Sequence, residues 1–227
     1  MGKTNGLVGG VTGKIGNVVG YFRRGQFLAR AYNPHTTNVN SKGQRLQRAR
    51  FKLLSEILSG ARSIYKVGFY YAAPSYERAN AMKLSMEAMT GSTAATVECD
   101  YSKLQLSAPQ LDVTLTSAAS STEAGKVTVA NTLPASSFVD ELPAEYGDAA
   151  NLKVMVALYC PSKNAWKRSI ADYADAGSME VACPADWSGE KVHAYAFIVD
   201  YPERVLVEDG KPAMVSETAY AGEVSVA

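Results

Sequence analysis

The stretch Gly9-Gly10-Val11-Thr12-Gly13-Lys14-Ile15 comes nearest to a catalytic signature in this chain, because glycines ahead of a lysine can cradle phosphates. A P-loop needs four residues between its glycines, so that backbone amides wrap the phosphates, and a Ser or Thr after the lysine to reach magnesium. Three residues separate Gly9 from Gly13, and Ile15 follows Lys14, so nucleotide chemistry is not supported. The two histidines, His35 and His193, have no second His or Cys at ligand spacing, which argues against zinc. Three cysteines, Cys99, Cys160 and Cys183, form no CxxC pair, and their odd number argues against a disulfide framework. They are expected as free, partly buried strand residues. Ser117 to Ser121 read as a polar loop, and no serine sits in a GxSxG elbow. The acidic pairs Asp140-Glu141 and Glu208-Asp209 read as solvated turns. No catalytic residue, metal or cofactor is expected.

What remains is a set of cations: Arg23, Arg24, Arg30, Lys42, Arg45, Arg48, Arg50 and Lys52, with Tyr21, Phe22, Phe27 and Tyr32 among them. Such a set can track phosphates while its aromatics stack on bases, or it can grip the acidic surface of a second copy. The charge of the whole chain supports both. Residues 1–90 carry 14 Lys and Arg against 3 Asp and Glu, a net of +11, whereas residues 91–227 carry a net of −10. A molecule with one basic and one acidic end can assemble head to tail or hold a polyanion at one end. Assembly is the favoured reading because the opposite charge is present in the same chain. Exposed ion pairs contribute under about 1 kcal/mol each, so apolar surface must carry most of the affinity.

These residues lie on three kinds of element. Residues 1–33 hold eight glycines, and Gly9, Gly13, Gly16 and Gly20 at three- and four-residue spacing allow close backbone approach to a neighbour. Strand-type residues fill the gaps, so this arm is expected to order only against a partner surface. A helix is expected from the N-cap at Asn40 or Ser41 to about residue 65, since Leu46, Leu53, Leu54, Ile57, Leu58, Ala61 and Ile64 form one stripe. Its first turns are basic, against the macrodipole, so something other than helix stability keeps those charges there. A second helix is expected to start at Ser75-Tyr76-Glu77, after Pro74, and to run to about Thr90, with Ala79, Met82, Met86 and Met89 as its packing seam.

From residue 96 the period changes to two. Lys103–Leu106, Leu111–Thr116, Lys126–Ala130, Leu152–Tyr159, Ala165–Ile170, Met179–Cys183, Val192–Val199 and Gly222–Val226 read as short strands separated by turn residues. Short strands at this density suggest an antiparallel sandwich of immunoglobulin or fibronectin type. No apolar run approaches the ~20 residues needed to span a bilayer, and residues 1–20 lack the apolar stretch of a signal peptide. No membrane partner is expected.

The ordered motifs carry a resemblance. The series Gly6-Leu7-Val8-Gly9-Gly10, Gly13 to Gly20, Gly25, Arg30, Asn33-Pro34, Gln44, Gln47-Arg48 and Phe51 opens it. Tyr101 to Ser107, Val156 to Tyr159 with Pro161, Pro184 to Gly189 and Tyr220 to Val224 close it. Together they resemble a family without assigned function from Bacteroidota genomes and phage-like elements. The resemblance implies a Gly-rich basic N-terminal region, a fibronectin-like C-terminal domain and a link to mobile elements, and it supplies no catalytic residues.

The expected fold class is therefore α+β: a Gly-rich arm (1–33), a helical region with two helices (34–95) and an antiparallel β-sandwich (96–227). The expected function is a non-enzymatic assembly protein, a homo-oligomer and virion component such as a ring, neck, tail or capsid-associated subunit, found in the virion or the cytoplasm. The alternative expectation is a soluble nucleic-acid-binding protein that uses the arm and the helix of residues 41–65.

Overall fold

The structure, a computed structural model of the 227-residue chain, describes residues 3–4, 11–23, 25–34, 40–69, 76–108, 113, 115–134, 152–200 and 215–227. Gly9, Arg24, His35, Pro74, the Asp140-Glu141 and Glu208-Asp209 pairs and half of the expected Leu111–Thr116 strand lie outside the described residues. The chain forms two compact units, Met1–Ser41 and Lys42–Ala227.

The first unit differs from the expected arm, because its strands pair with one another. β1 (Lys3–Thr4), β2 (Val11–Ile15), β3 (Val18–Arg23) and β4 (Gln26–Ala31) form one antiparallel sheet in sequence order. Gly16-Asn17 makes the turn between β2 and β3. The φ of +55° at Gly16, the first central position, is what a II′-type hairpin requires. Gly25, with φ +76°, serves the next turn. Glycine here sets hairpin geometry, and the strand-type residues between the glycines ladder to each other.

In the second unit, α1 (Lys42–Ile57) begins directly after Ser41. The expected continuous helix to residue 65 is broken, and α2 (Arg62–Gly68) follows after a turn. In an unbroken helix the Ile57 carbonyl would accept from the Ala61 N–H. Instead Ala61 donates to Leu58 O at 3.2 Å, and Trp166 Nε1 donates to Ile57 O at 2.8 Å. Ser59 Oγ also donates to Glu56 O at 2.7 Å, which competes with the helical pattern. A Cβ at Gly60 would lie 3.0 Å from Trp166 Cδ1, so the glycine admits the indole. α3 (Glu77–Leu84) continues as one 3₁₀ turn, Ser85–Ala88. Its buried line is Ala81, Ser85, Ala88 and Met89; Ala79 of the expected seam is exposed, and Met82 and Met86 pack half-buried against the core.

Two short strands, β5 (Met89–Thr90) and β6 (Glu98–Cys99), pair ahead of the sandwich. The expected Lys103–Leu106 strand is a 3₁₀ turn, Tyr101–Lys103, followed by irregular chain. Asp100 causes this, because its carboxylate accepts from Ser102 N (3.2 Å) and Ser102 Oγ (2.6 Å) and curls the backbone. Leu104 and Leu106 still point inward.

Seven further strands build the sandwich: β7 (Thr116–Ser120), β8 (Lys126–Thr132), β9 (Leu152–Cys160), β10 (Ala165–Asp172), β11 (Ser178–Ala182), β12 (Lys191–Asp200) and β13 (Ala219–Ser225). The expected serine loop after Thr116 is β7, an edge strand whose small residues alternate half-buried and exposed. One sheet has the order β11-β8-β7 and the other β10-β9-β12-β13. This is an α+β fold with a sandwich-like pair of antiparallel sheets.

β9 and β12 are buried on both faces. Leu152, Val154, Val156, Leu158 and Cys160 of β9, with Val192, Ala194, Ala196 and Ile198 of β12, meet Val127, Val129, Met179 and Val181 of the three-stranded sheet. The alternate residues, Met155, Ala157, Tyr159, Tyr195, Phe197 and Val199, meet Leu54, Leu58, Ile64 and Phe69 of the helical layer. That explains why these two strands read as nearly unbroken apolar runs. β10 adds polar ties to the helices through Trp166 and through Arg168 Nη1, which donates to Ser63 O at 3.0 Å. No described helix is long and apolar enough to cross a membrane.

Candidate functional site

Register divides the N-terminal sheet into two unlike faces, because side chains alternate along a strand and cross-strand partners share a face. Gly13 pairs with Gly20 and Ile15 with Val18, while Val18 pairs with Ala31, Gly20 with Ala29 and Phe22 with Phe27. That face holds Ile15, Val18, Phe22, Phe27, Ala29 and Ala31 around a Gly13–Gly20 dip, and no charge. Its large residues are bare: Ile15 is 52% exposed, Val18 47%, and Phe22 and Phe27 42% each. Phe22 and Phe27 meet edge to face at 5.5 Å.

The other face carries Lys14, Tyr21, Arg23, Leu28, Arg30 and Tyr32. Lys14 Nζ sits 3.7 Å above the Tyr32 ring, a cation–π contact that the cation set read from sequence had missed. The four aromatics grouped with the cations are thus separated: Tyr21 and Tyr32 share the basic face, and Phe22 and Phe27 point away from it. Of the glycines assigned to close approach, Gly13 and Gly20 face each other across the ladder and Gly16 makes a turn.

α1 arranges most of the remaining cations. Lys42, Arg45, Arg48 and Lys52 are exposed along one side. Arg50 turns inward, where its Nη2 donates to Gly91 O at 2.9 Å and its buried Nε has no hydrogen-bond partner. Beside the first turn of α1 lies a cleft of about 470 Å³ lined by Lys42, Arg45, Leu46, Ser92 and Thr93 among others.

A second polar group lies on the sandwich. His193 Nδ1 and Tyr220 Oη are 2.9 Å apart, Tyr101 stacks on the imidazole at 4.3 Å, and Glu223 lies 3.9 Å from Nε2. Glu223 is itself gripped by Lys191 at 2.6 Å, a contact that lowers its pKa. His193, Lys191 and Glu223 border a cleft of about 440 Å³ that also includes Ser162 and Glu190. Ser162 Oγ lies 3.3 Å from Cys160 Sγ. His193 and Tyr220 share one hydrogen bond, and the carboxylate of the group is committed to Lys191. It belongs to a larger aromatic cluster with Tyr159, Trp166 and Tyr195 that sits between the sheet and the helices. Periodicity could not reveal this cluster, since its members come from five separate segments.

Burial lowers the His193 pKa below its ordinary 6.5, with Glu223 opposing. The folded state therefore binds this proton less readily than the unfolded state, and the stability tied to it is present above pH 6.5 and lost as pH falls below that value. Thermal midpoints measured from pH 7 to about pH 5 are expected to fall in the native chain and to fall less steeply in His193→Gln. Parallel slopes would show that His193 does not carry the effect.

All three cysteines are free, with Cys160 buried and the other two half-buried. Burial, reinforced by Asp100, pushes the Cys99 thiol up to about 12, and burial also raises Cys183. Neither thiol is an activated nucleophile. Among the described residues no three His, Cys, Asp or Glu side chains gather as a metal site requires.

Nothing among curated proteins and nothing among solved structures matches the chain. Residues 10–213 match the model of DUF6266, a family of unknown function, and the chain belongs to that family.

Proposed function

We propose that this chain is a non-enzymatic structural subunit that assembles with copies of itself through the N-terminal sheet, as a ring, neck, tail or capsid-associated component of a virion does. The observation that carries the reading is a hydrogen-bonded four-stranded sheet whose uncharged face lies bare. Small sheets hold in water only when a hydrophobic face packs on something. Residues 1–41 contain five Lys and Arg and no Asp or Glu, so the surface is open to an acidic neighbour as well.

Magnitude separates what each feature contributes. Three strands of five or six residues, β2 to β4, present a face of roughly 300 Å² at ordinary strand spacing, and the two-residue β1 adds little, so the face falls short of the ~800 Å² per partner of a standard interface. The unpaired edge of β4 supplies more. Gln26–Ala31 has no proline and one charge, Arg30, so it lacks the usual protection against pairing with another chain. Face burial together with edge pairing makes a repeating contact, which closes into a ring or continues as a filament.

Sedimentation of the full chain over a wide concentration range is expected to show a defined oligomer that persists at about 500 mM salt, because apolar burial rather than surface charge holds it. A monodisperse monomer at high concentration and low salt would overturn the proposal.

A further inference from the structure

The outward side of α1 carries a row of cations. Lys42, Arg45, Arg48 and Lys52 follow one another at intervals of three, three and four residues, which keeps them on one side of the helix. They span roughly 15 Å along its axis at the helical rise. Phe51, 48% exposed, borders the row three residues after Arg48. At the start of this row Lys42 and Arg45 meet the hydroxyl-bearing Ser92 and Thr93 across the cleft beside α1.

The paired acids of the sandwich are held by other lysines. Lys126 takes Glu123 and Glu180, Lys153 takes Asp172, Lys163 takes Glu190, Lys191 takes Glu223 and Lys103 takes Asp100. Among the described residues no carboxylate pairs with Lys42, Arg45 or Lys52. Two cations in the first turn and a half of a helix also oppose its dipole, a cost that an external anion removes.

We propose that this surface binds the phosphate backbone of single-stranded nucleic acid without reading sequence, with one phosphate in the Lys42–Arg45–Ser92–Thr93 cleft, successive phosphates along Arg48 and Lys52, and a base against Phe51. Cations in a row with an exposed aromatic beside them are the chemistry such strands meet elsewhere. The sheet of residues 1–41 plays no part, so this inference stands apart from the assembly reading.

The test is fluorescence anisotropy of a labelled 20-nucleotide strand with the full chain from about 50 to about 300 mM salt. Affinity is expected to fall linearly in log–log form, and K42A/R45A/K52A is expected to bind on the order of 100-fold more weakly at about 50 mM, with a slope shallower by about 2. F51A is expected to weaken binding without changing the slope. K126A/K153A, which alters charges already paired, serves as the reference and is expected to bind as the native chain does. Circular dichroism checks that each variant is folded. Absence of salt-dependent binding would overturn the proposal, as would equal loss in the reference variant, loss only in R23A/R30A, or displacement of the strand by inorganic phosphate at equal phosphate concentration.

Discussion

Replacing Phe22 and Phe27 together with serine is expected, on the proposal of self-assembly, to yield a monomer and leave residues 42–227 folded. The two rings touch each other across β3 and β4 beside the turn that joins these strands, on the uncharged face, and both stand 42% exposed in the single chain. Aromatics buried at an interface contribute about 2 kcal/mol or more each when they act as anchors. Their joint loss of about 4 kcal/mol is close to three orders of magnitude in the association constant. The helical and sandwich cores contain neither residue, so the thermal transition of the second unit should be retained. Light scattering and calorimetry on the same sample read both outcomes. An unchanged mass would show that the face is not the contact, and loss of the transition would show that the sheet supports the second unit.

A second large effect is expected at Gly68, the last residue of α2. Helix propensity alone favours Gly68→Ala by about 1 kcal/mol. The structure reverses the sign. A Cβ there would lie inside the van der Waals envelope of Leu106 O and 2.9 Å from Ser107 Cα. The Leu106–Ser107 segment cannot retreat without loss, because Leu106 N donates to Thr218 Oγ1 at 3.0 Å and Ser107 Oγ donates to Ser216 O at 2.8 Å. Ala108 N also donates to Gly68 O itself, at 2.9 Å. Overpacking with loss of one buried hydrogen bond costs on the order of 3 kcal/mol, and the midpoint should fall by about 5 to 10 °C for a chain of this size. Gly43→Ala in α1 is the matched comparison, since an added Cβ meets nothing within 4 Å, and it should raise the midpoint slightly. If both variants gained stability, the close approach of α2 to the Leu106 segment would be wrong.

The sandwich was largely legible because its strands obey simple patterns. Alternation along Lys126–Thr132 and the apolar runs of Leu152–Cys160 and Lys191–Asp200 mark one-sided and two-sided burial respectively. The helical layer on the four-stranded sheet was not legible, since an apolar stripe such as Leu54, Leu58, Ala61 and Ile64 does not say what it packs against. The break in the first helix depends on Trp166, which lies more than 100 residues away and supplies the hydrogen bond that ends α1. Leu104 and Leu106 look like strand because an inward-pointing turn has the same spacing as a pleat. Asp100, two residues before Ser102, was the available signal.

The candidate surface shows the same division. The cations of α1 follow from helical spacing, and only Arg50 departs because its guanidinium reaches the Gly91 carbonyl. In the first 33 residues, composition pointed to an arm that orders only on a partner, since glycine is costly to fix. Position outweighs composition there. Gly16 and Gly25 stand nine residues apart, each beside strand-type residues, which is a hairpin pattern. Once the register is set, parity alone sends Phe22 and Phe27 to one face and Lys14, Tyr21, Arg23 and Arg30 to the other.

Hydroxyl-radical footprinting of the full chain, read residue by residue by mass spectrometry at low and high protein concentration, tests the central claim most directly. At high concentration Phe22 and Phe27 should become protected while Phe51 and Tyr76, exposed by 48% and 46% on the second unit, keep reacting. Tyr21 and Tyr32, on the opposite face of the same sheet, act as the internal comparison. Phe22 and Phe27 reacting as fast as Phe51 at every concentration would mean that no second copy covers this face, and the assembly reading would fail.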